Sequence, residues 1–192
     1  MKGVALLLVD VINSFDFEGA EALIERADKV APSIRALAAR AHLEQVPVIY
    51  VNDNFGMWQS DIQSLIEQCL SEEKPGRHIV EQLRPGADDF SVLKPRHSGF
   101  LATPLELLLS HLEVDSVVLT GFATDLCVLF TALDAHARGF HAVVPSDCTA
   151  ANNENVERMA LGIVHDSLKS SPCLGSEVDF LELAKLKRRK LF

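Results

Sequence analysis

Cys127, Lys94 and Asp10 are the residues of this sequence whose types and positions could do chemistry together. Cys127 closes the stretch Gly121-Phe122-Ala123-Thr124-Asp125-Leu126-Cys127, directly after the apolar run Ser116–Thr120. That run reads as a buried strand, and Thr124 to Arg138 reads as a helix that Gly139 closes. A thiol in the first turn of a helix faces free N–H groups and the positive end of the dipole, a setting that favours thiolate. Asp10 ends the apolar run Val4–Val9, and Lys94 ends the short run Phe90–Leu93. Carboxyl ends of strands in a parallel sheet share one edge, where ligands bind. A carboxylate, an ammonium and a thiol can therefore meet although they lie far apart in the chain. The cation would lower the thiol pKa. The carboxylate would take the thiol proton and hand it to a leaving amine, a transfer typically worth ~10²–10⁴ in rate. Taken singly, the three read as a turn residue, a solvated charge and a small buried hydrophobe. Their shared placement at strand ends is what favours catalysis.

The elements that must position them follow from composition and periodicity. The chain has 192 residues, 48% of them hydrophobic, which suits one domain over 1–192 with a sizeable core. A formal charge of −9 and a pI near 5.2 exclude nucleic acid and anionic membrane as natural partners. The longest apolar runs are far too short to span a bilayer, and the start of the chain lacks a secretory apolar region. Four cysteines at 69, 127, 148 and 173, at least 21 residues apart, show no C-x-x-C pair. They read as reduced thiols in a cytoplasm, with Cys148 near enough to a strand end to line a pocket edge.

Strands are predicted at Val4–Val9, Val46–Val51, Phe90–Leu93, Ser116–Thr120, His141–Val144 and near Ser167–Ser171. Between the first two, Ile34, Leu37, Ala38 and Ala41 repeat at helical spacing, with a break or kink expected near Ala31 because Pro32 suits a first turn. Thr103-Pro104-Leu105-Glu106 reads as a capping box opening a helix to about His111. Asn152 or Asn153 caps another to about His165. The segment 52–89 is irregular apart from a helix around Asp61–Leu70. The basic tail Lys185–Lys190 reads either as a solvated final helix or as a contact for an acidic neighbouring subunit. The fold class is α/β: a single doubly wound domain with a mostly parallel central sheet and helices on both faces, a Rossmann-like three-layer sandwich.

Three ordered motifs carry a resemblance across nearly the whole chain. Leu8-Val9-Asp10-Val11-Ile12-Asn13-Ser14-Phe15, Val92-Leu93-Lys94-Pro95-Arg96-His97-Ser98-Gly99-Phe100 and Gly121-Phe122-Ala123-Thr124-Asp125-Leu126-Cys127-Val128 resemble the strand, lysine and nucleophile motifs of the isochorismatase-like cysteine hydrolases. That family includes nicotinamidases, N-carbamoylsarcosine amidases and isochorismatases. The resemblance implies a catalytic triad of Asp10, Lys94 and Cys127. It also implies a cis peptide at Phe122–Ala123 and an oxyanion hole formed by N–H groups of Ala123 and Cys127. Homo-oligomers are usual among such relatives.

One departure concerns metal. Nicotinamidases resembling this chain carry Asp-x-His after the second strand, whereas here Asp53 is followed by Asn54 and Phe55. His78 is the only histidine between positions 43 and 96. One carboxylate and one distant imidazole make a poor metal site, so no metal and no cofactor are expected. Asn52, Asp53, Phe55, Trp58, Phe15 and Phe122 are the expected pocket residues, Phe15 being slightly better suited to the core. Ser98 lacks a G-x-S-x-G elbow, and His97 reads as a surface residue. The expected activity is cysteine-dependent hydrolysis of a small amide, carbamoyl or ureido substrate. The rivals are vinyl-ether hydrolysis and a catalytically silent binding module. A dinucleotide site is disfavoured because no glycine follows Asp10 until Gly19.

Overall fold

The computed structural model describes residues 1–58, 61–71 and 73–189. Its centre is a parallel sheet of β1 (Gly3–Val9), β2 (Val48–Asp53), β3 (Phe90–Lys94), β4 (Val114–Phe122) and β5 (His141–Val143), ordered β3-β2-β1-β4-β5. The two-residue β6 (Thr149–Ala150) pairs with the end of β4. Every pairing is parallel. The apolar runs are buried on both faces, as parallel strands covered by helices require. In β1, Val4, Leu6 and Leu8 enter one core, while Ala5, Leu7 and Val9 enter the other.

The first core is closed by α1 (Glu21–Leu43), α2 (Ile62–Cys69), α3 (Arg77–Leu83) and Phe180 of α7 (Phe180–Lys185). The second is closed by α4 (Leu105–His111), α5 (Leu129–Ala137) and α6 (Glu154–Leu168). This is the three-layer arrangement expected from the sequence. Among the described residues no helix is long and apolar enough to cross a membrane.

Several local expectations are corrected. Residues 167–171 form no strand: α6 runs on to Leu168 and ends at Lys169, which is left-handed at φ 59°. Helix α1 does not break at Ala31, although Pro32 lies inside it. The continuous buried stripe Leu23, Ala27, Ala31, Ile34, Leu37, Ala38 and Ala41 outweighs the backbone bond that proline removes. The capping box at Thr103 does not form. Its hydroxyl accepts from the Leu105 N–H (3.2 Å), but Glu106 turns away to Arg138 (3.0 Å) and Arg188 (2.7 Å). Helix α3 was not anticipated, because Pro75 and Gly76 mark its segment as loop.

The basic tail is helical only at Lys185, and Lys185, Lys187 and Arg189 are solvent-exposed as expected, but Arg188 is not. Helix α7 stops at Lys185, and the chain then packs back on its own fold. The Arg189 N–H donates to the Gly139 carbonyl (2.8 Å), and Arg188 lies 4.0 Å above the Phe140 ring. The acidic contact of Arg188 is therefore Glu106 of the same chain; Lys190 lies outside the described residues.

Candidate active site

Strand register brings the three predicted residues together. Val9 pairs with Val51 and with Gly121, so β1, β2 and β4 end side by side. Asp53 is the register partner of Lys94. Asp10 leaves β1 with φ 51° and anchors its N–H on the Val51 carbonyl (3.0 Å). Its Oδ2 lies 2.8 Å from Lys94 Nζ, and its Oδ1 accepts the Asp53 N–H at 2.6 Å. Lys94 Nζ also lies 3.4 Å from Cys127 Sγ and 3.4 Å from Asp53 Oδ2. Lys94 is fully buried, Asp10 is 5% exposed and Cys127 9%.

The nucleophile loop has its own scaffold. Gly121 at φ 107° passes so close to Val9 that a Cβ there would sit 2.0 Å from the Val9 carbonyl oxygen. Only glycine meets both demands. The Phe122–Ala123 peptide is cis. The helix expected to begin at Thr124 opens with a wider, π-helical turn over Thr124–Val128 and continues as α5. The Thr149 hydroxyl donates to the Gly121 carbonyl (2.9 Å) and also meets the Thr124 hydroxyl (2.8 Å). Thr131 links the lysine and nucleophile segments: its hydroxyl donates to the Cys127 carbonyl (2.6 Å) and accepts the Gly99 N–H (3.0 Å).

The thiol does not rest as thiolate. Burial, then the neighbouring Asp10 carboxylate, push the Cys127 thiol up to about 12, and Lys94 only partly offsets them. The expectation from dipole and cation is thus reversed by desolvation and a like charge. Asp10 is itself raised, by burial first, against the pull of Lys94. Burial is the largest influence on Lys94 and opposes its charge. Asp10, Cys127 and Asp53 together outweigh it, so the ammonium is held above its usual range. The resting site is an ammonium between a carboxylate and a thiol, both of which burial pushes towards their protonated forms.

A cavity of about 380 Å³ opens beside this cluster, lined by Asp53, Asn54, Gly56, Trp58, Arg96 and His97 among others. Of the expected pocket residues, Asp53 and Trp58 line it, Trp58 being 79% exposed. Phe55 is half exposed at φ 48° on the same loop. Phe15 and Phe122 lie in the core, their ring centroids 5.8 Å apart. Asn52 is fully buried, and both ends of its amide bind the Ile12 backbone (2.6 and 3.2 Å), which fixes the exit of β1. Cys148 lies in the core and not at a pocket edge. Ser98 hydrogen-bonds to Asp134 and is structural.

His97 is the residue that sequence reasoning missed. Its Nδ1 lies 3.9 Å from Cys127 Sγ, and its ring rests on Phe130 with centroids 5.6 Å apart. Its position three residues beyond Lys94, where the chain leaves β3, was the available signal. Metal ligands do not assemble here. Among the described residues no three His, Cys, Asp or Glu side chains are placed to hold an ion. Asp53 is engaged by the Phe55 N–H (2.7 Å) and Lys94, while His78 pairs with Asp28 (3.1 Å) on α1.

Comparison with known proteins finds relatives of this sequence and fold. The family model of the isochorismatase domain matches residues 4–168. The isochorismatase family protein YaaI of Bacillus subtilis (strain 168), itself uncharacterised, is 38% identical over 164 residues, covering 85% of this chain and 90% of that one. An isochorismatase family protein from Desulfovibrio vulgaris superposes with a TM-score of 0.76 at 26% identity, over 95% of this chain and 99% of that one. N-carbamoylsarcosine amidase from Thermoplasma acidophilum gives 0.71 at 26% identity, over 93% and 99%.

Proposed function

The chain belongs to the isochorismatase family, and from that premise we propose that it is a cysteine hydrolase that cleaves a small amide, carbamoyl or ureido substrate through a thioester on Cys127. The observation that carries this reading is Lys94 Nζ, buried 2.8 Å from Asp10 and 3.4 Å from Cys127 Sγ. Lys94 is closed to solvent, and Asp53 and His97, which touch Lys94 and Cys127 respectively, line a cavity of small-molecule size. Likeness to an amidase of known fold supports the carbon–nitrogen bond as the one cleaved.

In the proposed cycle the substrate carbonyl enters beside Asp53 and Trp58. As sulfur attacks, its proton moves to Asp10, so charge never accumulates on free thiolate. Lys94 stabilises the sulfur as it becomes anionic and keeps Asp10 close. Backbone N–H groups of Ala123 and Cys127 receive the carbonyl oxygen as it becomes an oxyanion. Asp10 then protonates the departing amine or ammonia, and water cleaves the thioester. No metal or cofactor takes part. We further place the enzyme in the cytoplasm, its four cysteines being free thiols, and assemble it as a homo-oligomer through exposed apolar side chains such as Leu126, Phe130 and Leu133.

The test is an amide and carbamoyl panel assayed for ammonia release, with Cys127→Ala as control. Release that depends on Cys127 supports the reading. Equal release from both proteins, or none from any member of the panel, contradicts it.

A further inference from the structure

We propose that His97 is the base that activates the hydrolytic water when the thioester is cleaved. This rests on the reading of Cys127 as nucleophile. Cys127 sulfur has two different sides. On the buried side stand Asp10 and Lys94, 5% and 0% exposed. Both Asp10 oxygens are engaged there, Oδ1 by the Asp53 N–H at 2.6 Å and Oδ2 by Lys94 at 2.8 Å. On the cavity side stands His97, with Nδ1 3.9 Å from the sulfur. His97 lines the cavity, so its imidazole is within reach of water arriving there. The ring packs against Phe130, with centroids 5.6 Å apart. Phe130 belongs to α5, the helix that continues from the nucleophile turn, so imidazole and sulfur are set by one element.

The two half-reactions then use two proton routes. In acylation the sulfur proton passes to Asp10 and on to the departing amine, the C–N bond breaks and a C–S bond forms. In deacylation His97 Nδ1 takes one proton from water while the oxygen bonds to the acyl carbon. The C–S bond breaks, and His97 returns that proton to sulfur across the same short gap. The product acid keeps the water oxygen, and the site regains its starting protonation with no further reactant.

The probe is p-nitrophenyl acetate, whose phenolate leaves without needing a proton, so acylation appears as a burst and deacylation as the steady rate. His97→Ala should keep the burst and lose roughly 100-fold or more in steady rate, the usual scale for a lost base. Added imidazole should restore that rate in proportion to its concentration. An unchanged steady rate overturns the proposal, as does an equal loss of burst and steady rate that imidazole does not rescue. Cys127→Ala separates this outcome from failure of the parent reading: if that variant keeps the burst, the nucleophile assignment is what falls.

Discussion

Lys94 Nζ lies 2.8 Å from Asp10 Oδ2 in a position closed to solvent, so the strongest ion pair of the site is also its most buried. A pair of this kind stabilises a fold only while both members are present. Lys94→Met would leave a carboxylate in the core with no cation, at a cost of about 3–5 kcal/mol. Lys94 pulls the Asp10 pKa down, so its removal drives that pKa further up and the orphaned carboxyl protonates in acid. The stability deficit against the parent protein should therefore shrink as pH falls and grow as pH rises. Urea unfolding at two pH values checks both size and slope. A deficit independent of pH would contradict the pairing.

The thiol makes a second prediction. Because Cys127 is pushed up to about 12, its thiolate fraction near neutral pH is small. Alkylation by iodoacetamide should then climb about tenfold per pH unit across the neutral range, since thiolate is the reacting form. Asp10 is the second cause of the upward shift and Lys94 opposes it. Asp10→Asn therefore lowers the thiol pKa. That variant should alkylate faster than the parent protein at neutral pH while losing turnover. An unchanged or slower rate would mean that Asp10 does not hold the thiol pKa up.

Backbone geometry supplies a third. Gly121→Ala places a methyl 2.0 Å from the Val9 carbonyl oxygen at φ 107°. The strands that meet there lead into Asp10 and Cys127, so stability and activity should fall together, stability by more than about 2 kcal/mol. Thermal unfolding and ammonia release measured on the same preparation test this. Normal activity in that variant would show that the close approach does not position the site.

The tail offers a fourth, away from the chemistry. Arg188 stacks 4.0 Å over Phe140 and pairs with Glu106 at 2.7 Å, with its side chain about a third exposed. Solvent screening leaves the ion pair little weight, and the stacking contributes most of about 1 kcal/mol. Arg188→Ala should lower the melting temperature by a few degrees and leave turnover unchanged.

The parallel sheet was legible because Val4–Val9 and Ser116–Thr120 are apolar without alternation, which only strands covered on both faces tolerate. Asp10, Lys94 and Cys127 stood out because each directly ends or follows such a run. The protonation state of the sulfur was not legible. It depends on how completely the cluster is enclosed and on Asp10 reaching the thiol, and neither is encoded in local sequence. Asn52 was misread as a pocket residue for a similar reason: its position at a strand end is correct, but its amide turns inward to Ile12. His97 escaped notice because its partner is a sulfur 30 residues away. Pro32 and the tail show tertiary packing overriding local signals, through the buried stripe of α1 and the ring of Phe140.

The most direct measurement is the mass of the enzyme quenched in acid during turnover of p-nitrophenyl acetate, followed by peptide mapping. The account predicts one acetyl group, on the peptide that contains Cys127, absent from Cys127→Ala. Continued turnover with the acetyl group on another residue, or with no covalent adduct while Cys127→Ala remains active, would contradict it.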